Sequence, residues 1–266
     1  MSTMSFIGVG NMGSALARAA AKKLRGSELL LSNRSPEKAQ RLSEELDCAW
    51  GSVEEAAAQG KFIFLGVKPQ MLPALMSQIA PILSQRKDCY VLVTMAAGIS
   101  IEGLLAMEGL SCPVVRIMPN TPAAIGQGTI LYCGSKELSS QLLDEFLSLM
   151  EGAGRFVALE ERLIDAGSAV SGCGPAFVDL FIEALADGAV ACGLPRATAM
   201  ELAAQMCLGS AALVLSGSSH PGALKDAVCS PGGTTIQGVR KLEEKGFRSA
   251  VIEAVIAAYE KNFDLK

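Results

Sequence analysis

Short apolar segments alternate with segments of helical periodicity through the first part of the chain. The apolar segments predict β-strands at Thr3–Val9, Glu28–Ser32, Lys61–Val67, Cys89–Thr94 and Val114–Met118. Between them, apolar residues recur at three- and four-residue spacing and predict helices at Ala15–Leu24, Pro36–Leu46 and Pro73–Leu83. This alternation is typical of an α/β protein, with a parallel sheet covered by helices on both faces. Further elements are expected at Thr129–Cys133, Leu138–Met150 and Arg155–Val157.

The pattern changes after Glu160, where no strand pattern remains. Apolar residues occupy all sides of helical segments at about 161–192, 196–216 and 247–262, and Gly172–Pro175 is expected to kink the first of them. We therefore predict two domains, 1–159 and 160–266. Because a small helical domain cannot bury so many apolar residues alone, we expect a homodimer or larger oligomer built through the second domain.

A glycine motif, Gly8-Val9-Gly10-Asn11-Met12-Gly13, lies between the first strand and the first helix. In dinucleotide-binding folds the first glycine allows a tight turn, the second lets backbone approach a pyrophosphate, and the third lets helix and strand pack closely. The motif favours a Rossmann-type, doubly wound sheet. The alternative is a glycine-rich turn that binds no ligand.

The second strand ends in Ser32-Asn33-Arg34-Ser35, where an NAD-binding protein usually has an acidic residue. A carboxylate would repel a 2′-phosphate, whereas a hydroxyl, an amide and a guanidinium would bind it. The segment favours NADPH over NADH as cofactor, with NADH still possible. Arg34 has an alternative interpretation as a solvated turn residue.

Ligands of parallel sheets bind beyond the carboxyl ends of the strands. Segments 8–13, 32–35, 66–69 and 95–98 all follow predicted strands, and we expect them to line one crevice. The last of them, Met95-Ala96-Ala97-Gly98, consists mostly of small residues that would let a cofactor lie close.

Composition excludes several classes of partner. The net charge is −4 and basic residues form no stripe, so nucleic acid is not expected. No apolar run looks long and charge-free enough for a membrane span, and the N-terminus lacks the layout of a signal peptide, so we expect a cytoplasmic protein. The eight cysteines lack the close spacing of metal ligands and are interpreted as reduced, small apolar residues; no metal site is expected.

The second half has few acid–base groups. No lysine lies between Arg162 and Lys225, and the one histidine, His220, is interpreted as a helix-capping residue rather than a general base. Hydride transfer to a protonated imine suits such a chain, because the cation already attracts hydride and little proton transfer is needed.

A second small-residue turn, Ser230-Pro231-Gly232-Gly233, leads into a helical pattern at Thr234 and Thr235. Free N–H groups and the helix dipole attract an anion there, and with the first glycine loop used by pyrophosphate, a substrate carboxylate fits this turn. The alternative is an ordinary helix start with Thr234 or Ser230 as N-cap.

Several motifs together resemble the pyrroline-5-carboxylate reductase family over essentially the whole chain. They are FIGVGNMG at 6–13, GVKPQ at 66–70, MPNTPAAIGQG at 118–128, SGCGPAF at 171–177, DGAVACGLPR at 187–196, HPGALKDAVCSPGGTTIQG at 220–238 and GFRSAVIEAV at 246–255. The resemblance implies a Rossmann domain, an all-helical dimerisation domain, and dimers that assemble further, commonly as decamers. It also implies reduction of 1-pyrroline-5-carboxylate to L-proline, the last step of proline biosynthesis.

The resemblance also assigns residues to the site. Its cofactor-binding residues would be Ile7, Gly8, Val9, Gly10, Asn11, Met12, Ser32, Asn33, Arg34, Gly66, Val67, Lys68, Pro69, Met95, Ala96, Ala97 and Asn120, the last near the nicotinamide. Its carboxylate-binding residues would be Ser230, Gly232, Gly233, Thr234 and Thr235.

Ser168 stands where many members of that family carry threonine, and its hydroxyl is implied as a partner of the ring nitrogen; alternatively it is an ordinary helix serine. Cys173 and Cys229 replace usual serines, which weakens the hydrogen bonding available at those positions. Two other functions remain open. One is reduction of another imine or keto acid, such as a six-membered cyclic imino acid, and the other is an NADP-binding sensor without turnover.

Overall fold

The computed structural model describes residues 2–217 and 219–262, which contain one eight-stranded sheet. The strands are β1 Ser2–Ile7, β2 Leu29–Ser32, β3 Ala49–Trp50, β4 Gly60–Leu65, β5 Val91–Thr94, β6 Val114–Met118, β7 Gly128–Gly134 and β8 Gly154–Ala158. The helices are α1 Asn11–Ala21, α2 Pro36–Leu46, α3 Val53–Gln59, α4 Leu72–Leu83, α5 Ile101–Ala106, α6 Ser140–Met150, α7 Ile164–Ser171, α8 Gly174–Ala191, α9 Arg196–Leu215, α10 Pro221–Ala227, α11 Thr234–Glu244 and α12 Phe247–Lys261.

The strand order is β3-β2-β1-β4-β5-β6-β7-β8, and every neighbouring pair is parallel except β6 and β7. From β1 the chain continues to β2 and β3 on one side of the sheet, whereas β4 pairs with β1 on the other side. The strand order therefore reverses between β1 and β4. A crevice at the carboxyl ends of such strands is the usual ligand site of a doubly wound sheet. The predicted fold class is confirmed.

The sheet separates two apolar layers, and alternation along β4 shows how. Phe62 and Phe64 belong to one cluster, whereas Ile63 and Leu65 belong to the other. All four side chains are fully buried, as expected for a strand covered on both faces. Phe64 also stacks on Phe6 of β1, with ring centroids 4.2 Å apart.

The chain divides into two compact units. The first unit contains residues up to Cys173 and returns from Ala258 onward; the second unit is Gly174–Ala257. The domain boundary that we place at 159/160 from the sequence stays a prediction. Residues 263–266, the last of the predicted second domain, lie outside the described part of the chain. The expected interruption at Gly172–Pro175 is present, since α7 ends at Ser171 and α8 begins at Gly174.

The second unit buries very little. Among its described residues only Ala186, Ala199 and Ala203 are buried, while leucine, valine, isoleucine and methionine side chains of its helices are exposed. Two helical segments, Glu161–Ala191 and Arg196–Leu215, are long and apolar enough to cross a membrane by length and composition. The composition argument against a membrane span therefore does not hold for these segments, and the expectation of no membrane contact stays a prediction.

Candidate functional site

The glycines of the first loop are required by close backbone contacts. Gly8 has a φ of 101°, and a Cβ there would lie 2.6 Å from the carbonyl oxygen of Gly66. A Cβ on Gly66 or on Gly13 would in turn lie within 2.3 Å or 2.1 Å of the Gly8 oxygen. The loop after β1 is thus packed against the end of β4 and against α1, and larger residues would separate these elements.

Gly10 differs from these glycines because open space surrounds the position of its missing side chain. It is the N-cap of α1, and no side chain accepts a hydrogen bond from the first turn of this helix. Uncapped N–H groups at the positive end of a helix bind anions. The arrangement fits a pyrophosphate placed against Gly10 and Asn11.

The Asn33 amide holds this loop in place. Its Oδ1 accepts a hydrogen bond from the Val9 N–H at 3.1 Å, and its Nδ2 donates to the Ser35 carbonyl at 3.1 Å. The Gly8 N–H donates to the Ser32 carbonyl at 2.8 Å. Asn33 therefore connects the ends of β1 and β2, which is a structural task beside its predicted role as a cofactor contact.

A cavity of about 1060 Å³ lies at the carboxyl ends of β1, β2, β3 and β4. Three of the four segments expected around the crevice contribute to it. From the predicted cofactor residues its lining includes Ile7, Gly8, Gly10, Ser32, Asn33, Arg34, Gly66, Val67 and Lys68. A smaller cavity of about 570 Å³ adjoins Gly10 and is lined by Val9 and Asn11.

The segment after β5 does not line this cavity. Met95 packs against the cluster that contains Phe64, Ala96 is buried, and Ala97 packs against the cluster of Met118, Leu131 and Ile164. Met12 is likewise packed against a core cluster, and Pro69 begins a 3₁₀ turn. Of this segment only Ala96 is fully buried, and Met95, Ala97 and Gly98 are partly exposed. The expectation that segment 95–98 joins the other three around the cofactor stays a prediction.

Arg34 is exposed in the cavity and makes no ion pair with the described residues, and neither does Lys38 of α2. The carboxylate of Glu55, which also lines the cavity, accepts a hydrogen bond from the Ser52 N–H at 2.8 Å. In the smaller cavity Arg18 is held by two hydrogen bonds to Glu45. The cations left without a partner at the end of β2 fit a 2′-phosphate.

Asn120, which follows β6, has both ends of its amide engaged. Its Nδ2 donates to the Ser171 carbonyl at 2.8 Å, and its Oδ1 accepts from the Thr129 N–H at 2.9 Å. Since these bonds connect the end of α7 to β7, Asn120 fixes where α7 ends. Its predicted place near the nicotinamide stays a prediction.

Ser168 lies in the middle of α7, and its hydroxyl makes no hydrogen bond to the described residues. The neighbouring Gly167 packs so closely that a Cβ there would lie 2.7 Å from Leu131 and 2.9 Å from Leu159. The helix that carries Ser168 is therefore fixed on the sheet while the hydroxyl is free.

The turn at 230–235 leads into α11 through two glycines. Gly232 has a φ of 70°, and a Cβ on Gly233 would lie 2.3 Å from the Ser230 Oγ. Thr234 and Thr235 are exposed at the start of α11. The alternative interpretation, a helix capped by Thr234 or Ser230, is contradicted, since Gly233 is the N-cap and no side chain caps the helix. Uncapped N–H groups at a helix start can bind an anion, and the assignment of this turn to a substrate carboxylate stays a prediction.

His220 is the N-cap of α10, where its Nδ1 accepts a hydrogen bond from the Gly222 N–H at 3.1 Å. This confirms its interpretation as a capping residue.

All eight cysteines are free, but Cys89, Cys173 and Cys192 are exposed and do not act as apolar core residues. Burial raises the pKa of Cys112 and of Cys133 to about 11, so these two thiols are protonated at neutral pH.

Sequence reasoning missed Arg116, the central residue of β6. It is 4% exposed, and its two Nη atoms each lie 3.1 Å from a carboxylate oxygen, one of Glu161 and one of Asp165. Glu161 also accepts a hydrogen bond from the Ile101 N–H at 2.7 Å. A lone arginine within the apolar strand VVRIM was the available signal, since a buried charge requires partners. The ion pairs of Arg116 with Glu161 and Asp165 attach the start of α7 to the sheet.

Two family models match the chain. The family described as pyrroline-5-carboxylate reductase dimerisation matches residues 161–265, and that described as NADP oxidoreductase coenzyme F420-dependent matches residues 3–98. The first falls on the region of exposed apolar helices and the second on the glycine loop and the large cavity.

Individual proteins are similar over nearly the whole chain. Pyrroline-5-carboxylate reductase of Escherichia coli (strain K12) is 40% identical over 97% of this chain and 96% of that protein. The crystal structure of Plasmodium falciparum pyrroline carboxylate reductase with NADP bound matches with a TM-score of 0.87 and 33% identity, covering 98% of this chain and 97% of that one. The Coxiella burnetii pyrroline-5-carboxylate reductase structure gives a TM-score of 0.90 at 28% identity, covering 100% and 98%. On the strength of this identity and coverage, the chain belongs to the pyrroline-5-carboxylate reductase family.

Proposed function

We propose that this protein reduces 1-pyrroline-5-carboxylate to L-proline with NADPH, the last step of proline biosynthesis. The observation that carries the proposal is the 40% identity to a named pyrroline-5-carboxylate reductase over 97% of the chain. The cavity supports it, because its uncapped helix start, close-packed glycines and unpaired Arg34 fit a phosphorylated dinucleotide.

The cofactor supplies a hydride when it is bound. That hydride would add to the carbon of the protonated C=N bond, and the π electron pair would pass to nitrogen, so that the product would be an amine. No general base is required in this step, in agreement with the scarcity of acid–base groups around the predicted site. Glycine-loop N–H groups and Arg34 hold the two phosphate regions, and the Ser168 hydroxyl is assigned as a hydrogen-bond partner of the ring nitrogen.

The substrate carboxylate is assigned to Ser230, Gly232, Gly233, Thr234 and Thr235. In support, the start of α11 has no side-chain cap, and both threonines are exposed. Several N–H groups directed at one carboxylate, together with hydroxyl donors, give charge-assisted hydrogen bonds, which are stronger than neutral ones.

We also propose that the second domain, 160–266, forms a homodimer, with decamers as the larger assembly, and that the protein is cytoplasmic. The apolar side chains exposed on α8, α9 and α12 need a covering surface. A second copy of the chain is favoured over lipid, because the family that matches residues 161–265 is described by its dimerisation.

The direct experiment is an assay of NADPH oxidation on addition of pyrroline-5-carboxylate, with product identification as proline. A six-membered cyclic imino acid and NADH serve as the comparison substrate and cofactor. We expect the fastest turnover with the five-membered ring and NADPH. Cofactor binding without turnover on either ring would instead identify a sensor, and preference for the six-membered ring would identify a different imine reductase.

A further inference from the structure

Trp50, the one tryptophan of the chain, is 46% exposed although the unit that contains it has a large core. The other exposed large hydrophobic residues described in this unit are Ile125, Leu163 and Val170. Unlike them, Trp50 lines the cavity of about 1060 Å³. A large aromatic ring left in contact with a ligand cavity is a candidate for contact with the ligand.

The backbone around Trp50 is firmly held. Trp50 pairs with Leu31 in the sheet, and the next N–H, of Gly51, donates to the Leu31 carbonyl at 2.9 Å. Ser52 and Glu55 then form a reciprocal capping box at the start of α3. Gly51 lies against the Glu55 carboxylate of this capping box. The ring is therefore presented by a fixed strand end and not by a loose loop.

The strand order gives the position of Trp50 along the cavity. The glycine loop lies at the ends of β1 and β4, Arg34 follows β2, and Trp50 ends β3, the outermost strand. With pyrophosphate at the glycine loop and the ribose 2′-phosphate at Arg34, the purine base is the next part of the dinucleotide in that direction.

The cavity also has apolar residues in its lining, which suit a flat base. Val53 of α3 and Ala74 and Leu75 of α4 line the same cavity and are apolar. A hydrogen bond of 2.7 Å from Gln78 of α4 to Glu54 of α3 holds these two helices together. The cavity thus combines an aromatic ring with apolar walls beside the proposed 2′-phosphate site.

We infer that the Trp50 indole forms one wall of the adenine site and stacks on the base of the dinucleotide. The inference rests on the proposed function for the identity of the cofactor, and it assigns a further binding residue to this chain. Aromatic side chains that stack on a nucleobase typically strengthen binding by about tenfold. Because no other tryptophan is present, tryptophan emission that is excited selectively over the three tyrosines reports on this site alone.

The test uses adenosine 2′,5′-bisphosphate, which has the adenine and the 2′-phosphate but no nicotinamide, and NADPH in parallel. Dissociation constants are measured by calorimetry for the wild type, Trp50→Ala and Trp50→Phe, with Ile125→Ala as the matched control at an exposed residue outside the lining of both cavities. Thermal unfolding is recorded for each variant, so that weakened folding is separated from weakened binding.

We expect the bisphosphate to quench the wild-type fluorescence. Trp50→Ala should raise both dissociation constants about tenfold; Trp50→Phe and Ile125→Ala should stay close to wild type. Equal binding of the bisphosphate by Trp50→Ala and wild type, or no binding to a folded wild type, would overturn the inference. If these binding results hold while pyrroline-5-carboxylate is not turned over, the proposed reaction fails and the adenine site stands.

Discussion

The two units of this protein differ in what their apolar side chains contact. In the first unit, Phe62 and Phe64 are fully buried between the sheet and its helices. In the second unit, only Ala186, Ala199 and Ala203 are buried among the described residues, and side chains such as Leu180, 67% exposed, face outward. The first unit is complete as a folded core, whereas the second has an apolar surface suited to an interface.

Polar groups differ between the units in a similar way. In the first unit, the buried Arg116 and Asn120 side chains have partners within the unit and hold α7 in position. In the second unit, the hydroxyls of Thr234 and Thr235 are exposed at an uncapped helix start. The buried polar side chains of the first unit thus support its fold, whereas these two exposed hydroxyls of the second unit are open to a ligand.

The largest effect is expected from Arg116→Met, which tests whether the first unit depends on its buried ion group. Removing the arginine leaves Glu161 and Asp165 without their cation, which should cost about 3–5 kcal/mol of the free energy of unfolding. Urea unfolding measures it, with Arg162→Met as control because that arginine is exposed and pairs only with exposed Glu160. Equal stabilities of the two variants would show that the buried group does not hold the unit together.

A smaller effect is expected from Thr235→Ala, which tests whether the exposed helix start of the second unit binds substrate. Loss of a hydrogen bond to a charged carboxylate, about 1.5–3 kcal/mol, should raise KM for the imino acid about tenfold to a hundredfold, with little change for NADPH. Steady-state kinetics measures both constants. Ser210→Ala, another hydroxyl deletion in the same unit, should change neither, and an unchanged KM in Thr235→Ala removes this residue from the site.

The smallest effect is expected from Arg34→Ala, which tests the proposed charge contact between Arg34 and the cofactor. Loss of one charge-assisted hydrogen bond to a 2′-phosphate should weaken NADPH about tenfold and leave NADH nearly unchanged. Titration of both cofactors measures this, with the exposed Arg25→Ala as the control. Equal losses for NADPH and NADH would mean that Arg34 does not recognise the 2′-phosphate.

Elements with clear periodicity could be predicted from the sequence. Pro36–Leu46 and Val114–Met118 have the same bounds in the structure as in the prediction. The strand at Ala49–Trp50 and the helices at Val53–Gln59 and Ile101–Ala106 were not predicted, because elements this short show little periodicity.

The part of the site that could be predicted from the sequence is the glycine loop, because its conformation depends on neighbouring residues in the chain. The site was not predictable where contacts depend on the fold. Asn33 reaches Val9 only because β1 and β2 pair in a particular register, and Arg116 meets Glu161 and Asp165 across 45 and 49 residues of chain. The contacts of segment 95–98 depend on the fold in the same way, since strand order alone does not say which side chains are buried.

The exposed apolar side chains of the second unit are proposed to pack against another copy of this chain, whereas the first unit buries its own core. Sedimentation velocity of the purified protein at micromolar concentration, without detergent, measures whether they do. We expect a dimer or a larger assembly of dimers. A stable, folded monomer under these conditions would show that the second unit does not form this interface.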